Sequence, residues 1–313
     1  MSSNQFIFFK KFLNLAELTL KIVFYSFKLK PDLIHCHDAF SLIPCFIISI
    51  FRKTKIVYDA HELESDKNGQ NKIFKFITIF FEKIMWRKID VLISVSDSII
   101  EWYKKNYGFK NSLLLFNKPS LKLKKDKETF DLRKKYKIDK NKLLFIYLGD
   151  LCDGRGIDLI LEVFSKYRIE SNVVFLGDGI LKDLVLKYSQ KFKNIFYHEK
   201  VKHDKVVNIT KTCDVGLCFI EDISKSDSLS LPNKIFEYAS AGINILGSDL
   251  PEISKFIKTY QAGIISKYDI NHLNKSVKFF ERNKLFDIKI KGNNFSWESQ
   301  EEFLLKIYKD LLF

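Results

Sequence analysis

The chain has 313 residues, 46% hydrophobic and 29% charged, enough apolar material to fill two domain cores of ordinary size. Its net charge of +14 rests almost wholly on lysine, with six arginines among 52 basic residues. Readers of nucleic acid lean on arginine forks, so a lysine-coated solvated surface is expected, with no nucleic-acid partner and a secondary attraction to anionic lipid headgroups. Cys36, Cys45, Cys152, Cys213 and Cys218 show neither metal-ligand spacing nor a secreted disulfide framework, which points to a reducing cytoplasm.

The first element is FIFFKKFLNLAELTLKIVFYSFKLK. Lys10, Lys11 and Glu17 interrupt its apolar residues, so it reads as neither a secretory signal nor a spanning helix, which needs about 18 uninterrupted apolar residues. It is expected to be one amphipathic helix packed on its domain, with the surface of a bilayer as the alternative. DLIHCHD, KIVYDAHE and VLISVS follow as short strands, each leading into a helical stretch: FSLIPCFIISIF, NKIFKFITIFFEKIMWRK and SIIEWYKKNYG. His35 and His37 project the same way from their strand, but HCHD brings no second ligand pair; a core role for His35, a helix cap for Asp38 and no metal are expected. His61 ends the next strand, in YDAHELES. A zinc-binding helix would need a second histidine four residues on, where Ser65 stands, so zinc is rejected there too.

LLLFN leads into a lysine-rich passage from Lys118 to about Lys142, read as a domain boundary plus one charged helix. A second alternating series then runs LLFIYLG, NVVFLGDG, NIFYHE, VGLCFI and INILGSD, separated by the helices IDLILEVFSKY, LKDLVLKYSQKF, HDKVVNITKT and LPNKIFEYASA. Such alternation, twice over, predicts two parallel sheets covered on both faces, with ligands beyond the carboxyl ends of the strands. NFSWESQEEFLLKIYKDLLF closes the chain as an amphipathic helix.

Two stretches carry chemistry. In YLGDLCDGRGID a strand ends at Gly149, a loop holds Gly154, Arg155 and Gly156, and a helix begins near Asp158. Glycines expose backbone N–H groups, the helix start is electropositive, and Arg155 adds a fork for phosphate oxygens. The spacing approaches a P-loop, but Arg replaces its Lys and Gly156 its hydroxyl residue, so a nucleotide triphosphatase is disfavoured; the alternative is an ordinary strand-to-helix turn. In LSLPNKIFEYASAG a helix is expected from about Leu231 to Ala241, with Ser230 as N-cap and Pro232 in its first turn. Asn233 and Lys234 open it, facing an anionic ligand, and Glu237 lies one turn further in, on the face of Asn233. A carboxylate set between Phe236 and Tyr238 needs donors. A ribose diol would supply two; a nearby lysine or backbone amide is the structural alternative.

Together these segments resemble the retaining glycosyltransferases of family 4, which have the GT-B fold. The resemblance runs from about Pro31 to the C-terminus through PDLIHCHD, KIVYDAHEL, DVLISVSDSI, the turn at Asn117, FIYLGDLCDGRGID, VVFLGDG, CDVGLCF, LPNKIFEYASAG, SDLPEI and FSWESQ. It implies an α/β protein of two Rossmann-like, doubly wound parallel-sheet domains. Residues 1–120 would form an acceptor-side domain, 121–140 a linker with its charged helix, 141–290 the nucleotide-sugar domain, and 291–313 a helix returning to the first domain.

Position by position, the resemblance implies that Arg155 and Lys234 hold the donor diphosphate, that Glu237 holds the ribose, and that His61 contacts the donor sugar at the reaction centre. It places Gly149, Asp150, Gly154, Gly156, Asn233 and Val201 in the donor site. The partners implied are a UDP- or GDP-type nucleotide sugar and a glycan or lipid-linked acceptor, with no metal and no further cofactor. The chain departs from the pattern in three places. Leu229 stands where the family has the first of its paired glutamates, with Asp227 or loop amides as substitutes; Asp150 stands at a position often basic; and about thirty residues precede DLIHCHD, so the first domain is expected to lack its first strand–helix units and to leave a sheet edge open to pairing. This shortening motivates the competing expectation of a non-catalytic or half-active subunit that needs a partner chain, or of a homodimer. A nucleotide-sugar epimerase would need acid/base carboxylates that the sequence does not place.

Overall fold

The computed structural model describes residues 3–120, 130–283, 285–288 and 295–313. The chain divides into two compact units: Met1–Leu115 with Phe303–Phe313, and Phe116–Glu302. Helix α13 (Glu298–Leu312) begins in the second unit, and from Phe303 onward belongs to the first. The linker expected over 121–140 lies partly outside the described residues; within it, Leu132–Tyr136 forms the short helix α5, capped by the Asp131 carboxylate.

The first unit opens with α1 (Ser3–Leu29) and alternates β1 (Leu33–His37), α2 (Leu42–Phe51), β2 (Lys55–Ala60), α3 (Lys72–Met85), β3 (Val91–Ser94), α4 (Asp97–Tyr107) and β4 (Asn111–Leu114). Its four strands are parallel and adjacent in chain order. α1 packs on α2 and turns Thr19 and Ser26 inward, while Leu18, Leu20, Phe24, Tyr25 and Leu29 are exposed. No described helix is long and apolar enough to cross a membrane. α3 is apolar on both sides, yet its Glu82 is fully buried. There its carboxylate accepts from the hydroxyls of Tyr103 at 2.5 Å, Tyr58 at 2.8 Å and Tyr107 at 3.0 Å. Burial still lifts its pKa above the ordinary carboxylate value, against the pull of those three donors.

The second unit carries β5 (Leu144–Leu148), α6 (Ile157–Lys166), β6 (Asn172–Leu176), α7 (Lys182–Lys191), β7 (Ile195–His198), α8 (His203–Thr210) and β8 (Val215–Cys218). These are followed by α9 (Lys225–Leu229), α10 (Asn233–Ala241), β9 (Asn244–Ser248), α11 (Pro251–Tyr260), β10 (Gly263–Ser266) and α12 (Ile270–Arg282). All six strands are parallel, in the order β10-β9-β8-β5-β6-β7. Along β5 the side chains alternate between two cores. Leu144, Ile146 and Leu148 join Ile235, Phe236 and Ile253 on one face; Phe145 and Tyr147 join Ile160, Phe164 and Phe280 on the other. That is the period of two of a strand buried on both sides, and it explains the unbroken apolar run LLFIYL. Strand order reverses between β5 and β8, so the loops after these strands diverge and leave a crevice at their carboxyl ends.

Candidate active site

Two sequence motifs meet at that crevice in the second unit. The loop after β5 turns through Gly149, Gly154 and Gly156, with φ of 110°, 74° and 72°, values that favour glycine. It is laid directly on the loop after β6: a Cβ on Gly177 would stand 1.8 Å from the Gly149 carbonyl oxygen. The first glycine of FLGDG therefore serves the neighbouring loop. Gly149 N–H donates to the Leu176 carbonyl at 3.1 Å, and the Gly154 carbonyl accepts from Glu221 N–H at 2.9 Å. Asp150 is exposed, and its carbonyl accepts from the Tyr147 hydroxyl at 2.8 Å. Gly156 takes the N-cap position of α6 with no capping side chain, so the electropositive helix start faces the loop.

The second motif differs from expectation at its start. Ser230 closes the short helix α9, and α10 begins at Asn233 with Pro232 in the N-cap position and no capping side chain. Pro232 is itself extended (φ −70°, ψ 147°), and a proline disfavours helical backbone at the preceding Leu231, so the helix starts two residues later than the apolar pattern indicates. Lys234, in the first turn, carries its ammonium 3.8 Å above the Tyr147 ring centroid. That ammonium is also 3.9 Å from where a Cβ of Gly149 would lie. Among the described residues no carboxylate comes within ion-pair distance of it, so its charge is available to an anion. Arg155 Nη1 lies 3.5 Å from Asp227 Oδ1, and Asp227 is itself held by the Ser224 hydroxyl at 2.7 Å. Burial pushes the Cys218 thiol up to about 11, and Lys234 and Arg155 both pull it back; the two cations share one neighbourhood at the end of β8.

Glu237 is placed by its neighbours in the chain. Phe236 enters the core, and Tyr238 is driven into the sheet, where a Cβ on Gly216 would meet its ring at 2.3 Å. The Tyr238 hydroxyl accepts from Leu148 N–H at 3.2 Å and faces the Ile146 and Leu217 carbonyls at 3.2 and 3.0 Å. With both neighbours locked, the Glu237 carboxylate is held at the edge of the crevice, 13% exposed. Among the described residues no hydrogen bond reaches it; exposed His203, at the start of α8, has Nδ1 at 3.7 Å. Burial raises its pKa, while His203 and Lys234 lower it. His203 escaped the sequence reading because nothing in HDKVVNITKT ties it to a residue 34 positions on. Val201, half-buried just ahead of α8, packs against the core on the α10 side of the sheet.

His61 belongs to the first unit, just past β2. There it stands in a cluster that the sequence reading did not assemble. The parallel register pairs His37 with Asp59, and buried Asp59 Oδ2 lies 3.3 Å from His35 Nε2, 3.2 Å from His37 Nδ1 and 3.5 Å from His61 Nε2. The rings stack, His35 on His37 at 4.3 Å and His37 on His61 at 5.3 Å. His35 is thus part of a polar cluster and not of the apolar core, and the HCHD strand meets a carboxylate from the strand beside it. Asp38, expected as a cap, makes no side-chain capping bond; it adopts φ 60° ahead of a single 3-10 turn.

Comparisons with known proteins agree with this architecture. The family described as Glycosyltransferase Family 4 matches residues 2–114, and Glycosyl transferases group 1 matches residues 128–297, more than half of the chain. A chitobiosyldiphosphodolichol beta-mannosyltransferase of Candida albicans is 23% identical over 255 residues, 72% of this chain and 54% of the relative. A glycosyltransferase named for teichuronic acid biosynthesis, from Bacillus subtilis, is 22% identical over 260 residues, 82% of this chain and 63% of the relative. The chain thus spans about half to two thirds of the length of these curated relatives. Among solved structures, sucrose-phosphate synthase of Thermosynechococcus elongatus superposes with a TM-score of 0.77 at 14% identity, over 96% of this chain and 78% of that one. Anabaena HepE in complex with UDP and glucose gives 0.74 at 13% identity, over 94% and 82%. With two parallel-sheet units and both family matches in place, the chain belongs to the group 1, family 4 glycosyltransferases of the GT-B fold.

Proposed function

We propose that the protein transfers a sugar, with retention of anomeric configuration, from a UDP- or GDP-type donor to a glycan or lipid-linked acceptor. One observation carries this reading: Arg155 and Lys234 flank the glycine loop at the strand-order reversal, beside a crevice-edge carboxylate with no protein donor. The two cations and the starts of α6 and α10 would neutralise the diphosphate as its bond to the anomeric carbon breaks. A ribose diol donates to Glu237, and backbone groups near Gly149, Asp150, Gly154, Gly156, Asn233 and Val201 line the donor. The acceptor hydroxyl attacks the face that the nucleotide leaves, and the departing phosphate takes its proton. His61 is assigned to the donor sugar. The charge neutralisation rests on side chains, so transfer is metal-independent in this reading.

Relatives and neighbours support the substrate classes: one is a chitobiosyldiphosphodolichol beta-mannosyltransferase, one is named for teichuronic acid biosynthesis, and HepE was captured with UDP and glucose. The reading therefore extends to cell-surface polysaccharide synthesis on the cytoplasmic side of a membrane. The exposed apolar residues of α1 and α3, including Leu20, Phe24, Phe76 and Phe80, with their interspersed lysines, suit a peripheral seat on anionic lipid. Leu229 in place of a glutamate favours a second reading, a half-active subunit completed by another chain.

The test is a thermal-shift panel of nucleotide sugars, since a ligand that binds only the folded state raises the melting temperature. A UDP or GDP sugar shifts the wild type, while Arg155→Ala and Glu237→Ala abolish the shift. No nucleotide binding by folded protein ends the enzymatic reading. Anomeric analysis of the product by NMR separates retention from inversion, and unaided transfer by a monodisperse monomer removes the subunit reading.

A further inference from the structure

Among the described residues, His35, His37 and Asp59 bring their ligand atoms within 4.8 Å of one another, and His61 stands beside them. We propose that the ends of β1 and β2 form a binding site for a borderline transition-metal dication of the zinc class, with His35 Nε2, His37 Nδ1 and Asp59 Oδ2 as its three protein ligands and a water in the fourth position.

The distances fit such an ion. Zinc–nitrogen and zinc–oxygen bonds of 2.0–2.1 Å in a tetrahedron separate neighbouring ligand atoms by about 3.3 Å. The nitrogens of His35 and His37 lie 3.3 and 3.2 Å from the one carboxylate oxygen, the edge length of a tetrahedron of that size, and all three atoms lie within 4.8 Å of one another. His61 Nε2 makes a hydrogen bond with His37 Nδ1 at 3.1 Å. The donor set of two imidazoles and one carboxylate suits zinc, cobalt, nickel or copper, and not magnesium or calcium, which take oxygen ligands.

Two further features suit a cation. His35 Nε2 is buried and has no hydrogen-bond partner, although it lies 3.3 Å from the Asp59 oxygen. Its other nitrogen is engaged by the Tyr308 hydroxyl at 2.5 Å, the outer-shell contact that fixes the orientation of a metal-ligating histidine. The site is also rigid and accessible. Asp59 is 5% exposed and set in a parallel ladder, whereas His37 is 60% exposed, so an ion can enter past its ring. The carboxylate offsets one charge of the dication, and the imidazoles bind in their neutral form. An ion bound here would sit beside His61 and bear on its contact with a sugar, a consequence that rests on the transfer reading; the site itself does not.

The experiment uses the full chain, free of affinity tag and stripped by chelator, with no nucleotide sugar present, so its outcome is separable from that of the transfer reading. Zinc is titrated in competition with a chromophoric chelator, and cobalt is titrated for the visible absorption of a four-coordinate site. One equivalent of zinc is expected. His37→Ala and Asp59→Asn should weaken it at least about tenfold, since even outer-shell losses at metal sites reach that size. His272→Ala, which breaks an exposed His–Asp pair elsewhere, should leave it unchanged. Because His37 is exposed, its variant stays folded even if Asp59→Asn does not. Failure to bind zinc more tightly than magnesium, or stoichiometric binding that His37→Ala leaves intact, overturns the proposal.

Discussion

Glu82 in the first unit and Glu237 in the second are both set in apolar helices, and burial raises the pKa of both carboxyls. Their surroundings differ. Glu82 is sealed, and three tyrosine hydroxyls from β2 and α4 donate to it. Glu237 keeps an open edge, and no protein donor among the described residues reaches it. A buried acid whose donors are all supplied is part of the architecture; an acid that is fixed in place without protein donors is the one the proposed nucleotide would supply. The same residue type in similar local sequence thus has two different settings, and the partners alone distinguish them.

The largest expected effect breaks the sealed member of the pair. Glu82→Ala leaves the buried hydroxyls of Tyr58 and Tyr103 without their common acceptor. Unsatisfied buried groups cost about 1–3 kcal/mol each, so a loss of about 3 kcal/mol or more is expected in the urea midpoint. Glu237→Ala should change stability by less than about 1 kcal/mol, while removing nucleotide binding. Comparable destabilisation by the two variants would erase the distinction.

How much of this was legible in the chain follows the same division. Both glutamates stand out locally, as charges inside FFEKIM and KIFEYA. The donors of Glu82 lie 21 to 25 positions away in either direction, at distances that only the tertiary fold closes. Strands buried on both faces were readable as runs such as LLFIYL and NVVFL. By contrast β10 (Gly263–Ser266) and the short α9 carry too few residues to show a period, and α9 took Ser230 from the helix it was expected to cap. The reading of HCHD missed Asp59 for a related reason. Parallel register sets Asp59 beside His37 across 22 residues of sequence, and no spacing rule within one strand anticipates its neighbour. Motifs contained in a single loop, such as the glycines around Arg155, are legible; clusters assembled across a sheet are not.

A smaller effect tests how Glu237 is fixed. Tyr238→Phe removes the hydroxyl that receives Leu148 N–H, at the point where the β5–β8 pairing ends. One buried N–H left unpaired predicts a loss of about 1–3 kcal/mol in chemical denaturation. Because Tyr238 anchors the helix that presents Glu237, nucleotide affinity should fall alongside stability. An unchanged affinity at reduced stability would show that the helix holds its position without that anchor.

The smallest effect concerns protons. With its pKa raised in the folded protein, Glu237 keeps a proton that the unfolded chain releases near the ordinary glutamate value of 4.5. The stability that this proton contributes is complete below that value and is lost as pH rises through the higher folded pKa. A single such group contributes a slope of at most about 1.4 kcal/mol per pH unit within that window. Glu237→Gln should remove this contribution, so its urea midpoint declines less than that of the wild type from pH 4 upward. A ribose donating to the carboxylate favours the ionised form, so saturating nucleotide should flatten the wild-type slope toward that of the variant, and binding should release protons. The equivalent Glu82→Gln substitution should show no such response to nucleotide. A nucleotide-dependent slope at Glu82, or none at Glu237, would reverse the roles assigned to the two acids.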